Sequence, residues 1–97
     1  MSDIFDQKLA PSGDAIASAV GDETVILHLK NGAYYGLDAV GTRIWEMLKE
    51  GSSPADICAR MADEYNVAPD VLEADVRRLL GELQASEIVA EPDRADD

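Results

Sequence analysis

Strand-forming and alternating hydrophobic runs fill residues 16–37, and hydrophobic residues recur at helical spacing from Asp38 onward. Ile16, Ala17, Ser18, Ala19 and Val20 make a short strand-forming run. Gly21-Asp22-Glu23 turns the chain, and residues 24–29 predict a stronger strand with Val25, Leu27 and Leu29 on one face. Asn31-Gly32 is a hairpin signal, because both residue types tolerate positive φ. Residues 33–37 follow as a third strand, with Ala33, Tyr35 and Leu37 on one side and Tyr34 and Gly36 on the other. Three consecutive strands with short turns predict an antiparallel meander.

From Asp38, a residue type suited to cap a helix, the period changes. Val40, Ile44, Met47 and Leu48 share a helical face bordered by Trp45, and Gly51 supplies a stop. Ser53-Pro54 opens a second helix, carried by Ile57, Cys58, Met61, Ala62 and Tyr65. Pro69 opens the longest helix, in which Leu72, Val76, Leu79, Leu80 and Leu83 recur until about Ser86, and Ile88-Val89-Ala90 can close as a short strand. The expected fold is α+β: a three-stranded antiparallel sheet followed by three helices. Residues 1–13 are expected to be a flexible arm, residues 14–90 the domain, and residues 91–97 an acidic tail.

Length and charge narrow the function. Ninety-seven residues suffice for one modest core, and 46% apolar content is ordinary for a globular chain. With 20 acidic and 8 basic side chains the formal charge is −12. That surface repels nucleic acid, which is bound through Lys and Arg, and anionic membranes likewise. A winged-helix regulator is disfavoured further, since residues 70–84 carry Arg77 and Arg78 against Asp70, Glu73, Asp75 and Glu82. A single cysteine, the absence of a basic-then-apolar start and the absence of a long apolar run lead us to expect a cytoplasmic protein.

Candidate chemistry is sparse. One histidine, His28, and one thiol, Cys58, cannot make a zinc site, and no phosphate-binding glycine loop occurs, so neither metal nor cofactor is expected. A His28–Cys58 nucleophilic pair is disfavoured, because Cys58 lies on an apolar helix side where a small buried thiol is usual. The chain reads as a binding module rather than an enzyme. The edge of the third strand lacks the charge or proline that normally blunts such edges, so it either recruits a peptide by strand addition or is covered within the fold.

Across residues 32–48 the order Tyr35, Leu37, Gly41, Ile44, Trp45, Leu48 resembles the PqqD-like family of precursor-peptide recognition elements, which serve ribosomally made, modified peptides. Asp38 stands where Asn is commoner in that family. Ile57, Met61, Tyr65-Asn66-Val67, Val71, Asp75-Val76, Leu79-Leu80 and Leu83 extend the likeness, which spans residues 15–90. The resemblance implies a winged-helix-like fold and a leader peptide docked as an added strand beside the third strand, in a groove against the third helix. The chain lacks the Pro-Glu-Gly segment associated with the quinone-cofactor branch, whose partner is a radical enzyme. It looks more like the free-standing proteins of lasso-peptide pathways, which present the leader to a separate peptidase.

The peptide-binding residues expected on that basis are Ala33, Tyr34, Tyr35, Gly36 and Leu37 on the strand, with Val71, Asp75, Val76, Arg78, Leu79 and Glu82 on the last helix. Tyr35, Trp45 and the stripe Leu72, Val76, Leu79, Leu83 are also read as core. Tyr34 is either an exposed edge residue or a groove wall. Of the two borders of the last helix, the Asp75–Arg78–Glu82 side is expected to face the peptide because it mixes both charge signs beside Leu79, as an interface rim does. The Arg77–Leu80–Gln84 side is the alternative.

Overall fold

A computed structural model describes residues 4–91. In chain order the elements are a 3-10 turn (Ile4–Asp6), β1 (Ala10–Pro11), β2 (Ala15–Val20), β3 (Glu23–His28), β4 (Tyr34–Leu37), α1 (Ala39–Lys49), α2 (Pro54–Glu64), α3 (Pro69–Ala85) and β5 (Val89–Ala90). The antiparallel meander β2-β3-β4 is the three-stranded sheet expected, and β1 pairs with β5 as a second, two-stranded sheet. Three helices follow the meander, as the 3.6-residue spacing requires. Asp38 caps α1 by accepting from Gly41 N–H at 2.8 Å, and Ser53 caps α2 by accepting from Asp56 N–H at 3.1 Å.

The core lies between the sheet and the helices. Ile26, Leu37, Ile44, Trp45, Met47, Leu48, Ile57, Met61, Leu72, Val76, Leu79, Leu80, Leu83, Ile88 and Val89 are all buried there. Burying side chains of this size is worth roughly 1.5–3 kcal/mol each, which offsets the entropy of ordering so short a chain.

One strand presents the opposite face to that expected. In β3 the buried residues are Thr24, Ile26 and His28, while Leu27 and, just beyond the strand, Leu29 are 40% and 58% exposed. Hydrogen bonding explains how the less apolar face can be inside. Thr24 Oγ1 accepts from Thr42 of α1 at 2.9 Å, and His28 Nδ1 accepts the Lys30 and Asn31 amides at 3.2 and 3.3 Å. The hairpin also differs in detail. Five residues, Leu29 to Ala33, connect β3 to β4, closed by Gly32 N–H donating to His28 C=O, and Gly32 (φ +74°) is the one residue among them with positive φ.

The described part of the expected arm, residues 4–13, is seated on the domain. Leu9 is buried in the core, Phe5 lies under the Arg77 guanidinium at 4.6 Å, and Ser12 N–H donates to Ile88 C=O at 2.8 Å. Ile4, Phe5 and Leu9 are too few to sustain a period before Pro11-Ser12-Gly13 breaks the chain, which is why the segment reads as an arm. The expected tail lies outside the described residues from position 92 onward. No described helix is long and apolar enough to cross a membrane.

Candidate functional site: an open strand edge beside the third helix

Strand β4 ends the meander and has no described partner on its outer side. Its free hydrogen-bonding groups follow from the register. Tyr35 pairs with Ile26 and Leu37 with Thr24, while His28 N–H donates to Ala33 C=O at 2.8 Å. Hydrogen-bonded and open pairs alternate along an antiparallel ladder. The backbone groups of Tyr35 and Leu37 therefore turn inward to β3, and those of Tyr34 and Gly36 point outward.

Beside this edge lies a groove of about 420 Å³ lined by Tyr35, Gly36, Leu37, Asp38, Val40, Gly41, Ile44, Asp75, Arg78 and Leu79. Strand β4, the start of α1 and one side of α3 thus form its walls. Gly41 lets α1 approach: a Cβ there would sit 3.2 Å from Leu37 Cδ2.

Two ties fix β4 against α3. At the hairpin tip, Asn31 Nδ2 donates to Ser86 C=O at 3.3 Å and to Glu87 Oε1 at 3.2 Å. One turn further on, the Tyr35 hydroxyl donates to Glu82, which also pairs with Arg78 at 3.2 Å. The hydrogen bond to Glu82 raises the Tyr35 phenol above its ordinary value, and the same bond lowers the Glu82 carboxyl. With Asn31 beside Glu87 and Tyr35 beside Glu82, β4 runs antiparallel to α3. The groove is tied at the Glu82 end and continues toward Asp38, Val40 and Asp75.

Glu87, two residues past the end of α3, has φ +63°, unusual for a side chain larger than glycine. Ile88 N–H donates to Leu83 C=O and Glu87 N–H to Gln84 C=O, the pattern of a Schellman cap. A left-handed residue costs about 1–2 kcal/mol, and the Glu87–Asn31 bond helps hold it.

Of the residues expected to contact peptide, Tyr35, Gly36, Leu37, Asp75, Arg78 and Leu79 line the groove together. Tyr34 lies on the strand with its side chain on the outer sheet face, 72% exposed. Glu82 acts at the groove's tied end. Val71 is exposed one turn beyond Asp75 and is not among the lining residues. Val76 is fully buried in the core and is not among the lining residues. Ala33 precedes β4, and its carbonyl is already bonded to His28. The Arg77–Leu80–Gln84 border is taken by the N-terminal segment: Arg77 stacks on Phe5, Leu80 is fully buried, and Gln84 donates to Gln7 at 2.9 Å. The Asp75–Arg78–Glu82 side is the one that borders β4. Sequence reasoning missed Asp38, Val40, Gly41 and Ile44 as lining residues, although the conjunction of a glycine and an apolar stripe at the start of α1 carried that signal.

His28 Nδ1 is occupied by two backbone amides, and burial raises the Cys58 thiol, leaving less of the reactive thiolate.

Fold and site define a small α+β domain with an unpaired strand edge set beside a helix-walled groove. The chain belongs to the family of coenzyme PQQ synthesis protein D (PqqD), whose model matches residues 23–89. It is 38% identical to the protein solved as "TbiB1 in Complex with the TbiA(beta) Leader Peptide", with a TM-score of 0.80 over 88% of this chain and 99% of that one. A second structure, "Lasso peptide synthetase B1 complexed with the leader peptide", is 23% identical with a TM-score of 0.76, covering 86% of this chain and 98% of that one, and shares the fold. No curated protein matches the chain significantly.

Proposed function

We propose that this chain binds the leader segment of a ribosomally made precursor peptide, of the lasso type, and delivers it to a separate processing enzyme such as a leader peptidase. The observation that carries the reading is the outward-facing backbone of Tyr34 and Gly36 beside the Asp75–Leu79 side of α3, in a chain 38% identical to a protein solved with a leader peptide. Main-chain bonds to Tyr34 and Gly36 supply affinity, and the apolar floor of Leu37, Val40, Ile44 and Leu79 supplies sequence choice. The protein contributes binding and effective concentration, with the bond-breaking done by its partner.

Amide hydrogen exchange with the TbiA(beta) leader as first probe tests this. Added leader slows exchange at Tyr34 and Gly36 and leaves Tyr35, already bonded to β3, unchanged. Uniform exchange with and without leader would count against strand addition. Cleavage of the leader by this protein alone would end the binding-module reading.

A further inference from the structure

The groove brings together two carboxylates, Asp38 and Asp75, and one cation, Arg78. Arg78 is committed to Glu82 at 3.2 Å, and Glu82 in turn accepts from Tyr35. One oxygen of Asp38 is committed to the α1 cap. The Asp75 side chain has no hydrogen bond or ion pair with any described residue, and it stands at the end of the groove away from the Tyr35–Glu82 tie.

A strand laid along β4 covers this groove and strips water from Asp75. A carboxylate that loses its hydration without gaining a partner weakens binding, and one that meets a cation strengthens it. The chain's own groove cation is engaged elsewhere, so the cation has to come with the peptide. Beside Asp75 lie Leu79 and the half-exposed Val40, apolar surface along which the aliphatic stem of a Lys or Arg can lie. We propose that Asp75 is the charge-reading residue of the groove, and that the peptide this protein selects carries a Lys or Arg at a fixed spacing from its apolar anchor. This deepens the leader-capture reading and rests on it.

The test is a selection of randomised linear peptides, displayed on phage, against the wild type, Asp75→Lys, Asp75→Asn and Gly36→Pro. The wild type enriches sequences with a basic residue at one position relative to an apolar one. Asp75→Lys enriches an acidic residue at that same position, and Asp75→Asn loses the preference. Synthetic peptides differing there alone separate by about 10-fold in affinity for the matching protein. If all three Asp75 forms enrich the same sequences, Asp75 does not read charge and strand capture stands without it. If the wild type enriches nothing, or Gly36→Pro enriches the same peptides as strongly, strand capture itself falls and the charge assignment falls with it.

Discussion

Tyr35 and Gly36 are adjacent on one strand, yet their amides face opposite ways, and proline separates their roles. Proline removes an N–H and is tolerated on an edge strand only where that N–H faces outward. Gly36→Pro should therefore stay folded by circular dichroism and lose leader binding in titration calorimetry. Tyr35→Pro should instead lower the melting temperature, because its N–H is used by β3. The Tyr35–Glu82 bond sets a pH window. A lowered carboxyl contributes stability that is present above its ordinary 4.5 and is lost as pH falls through the folded value; a raised phenol contributes stability present below its ordinary 10.0 and lost as pH rises through the folded value. The gap in melting temperature between wild type and Tyr35→Phe should accordingly be constant from about pH 5 to 9 and close at both extremes. A gap that tracked pH through neutrality would assign the stabilisation to another group. At this scale the sequence is least legible. Asn31 registers as a turn residue, but its tie to Ser86 and Glu87 joins positions more than fifty residues apart and has no local signature.

Among the elements, helices are more legible in the sequence than strand faces. The three helical stripes recur over several turns, and caps at Asp38 and Ser53 mark two of the starts, so boundaries fell within a residue or two. Strand β3 offers apolar residues on both faces, and periodicity favours Val25, Leu27 and Leu29; only the partners waiting for Thr24 and His28 reverse the choice. The N-terminal segment was illegible for the converse reason, since its contacts are scattered single side chains. It nonetheless decides the site, because by occupying the Arg77–Gln84 border it leaves the Asp75–Glu82 border as the groove wall. Leu9, 2% exposed, is the anchor. Leu9→Ala should cost about 2–5 kcal/mol in denaturant unfolding, as core truncations do, whereas an arm residue would change stability by less than about 0.5 kcal/mol.

For the whole molecule, the governing quantity is the charge of −12. On α3 both arginines are engaged, Arg77 with Phe5 and Glu73 and Arg78 with Glu82, so the helix offers no free basic stripe to phosphate. The same field acts in favour of a cationic peptide at long range, before any contact forms. Long-range attraction raises the rate of encounter and is screened by salt over about 10 Å at 0.1 M, whereas main-chain bonds and apolar contacts in the groove govern escape and are screened little. Stopped-flow binding of a leader carrying net positive charge should therefore show an association rate that falls several-fold as salt rises to about 1 M, with a smaller change in dissociation. A charge-neutral version of the same peptide should associate at a nearly constant rate. If salt instead accelerated dissociation and left association flat, the charge would be acting through contacts such as Asp75 within the groove rather than through the field of the molecule, and steering would drop out of the account.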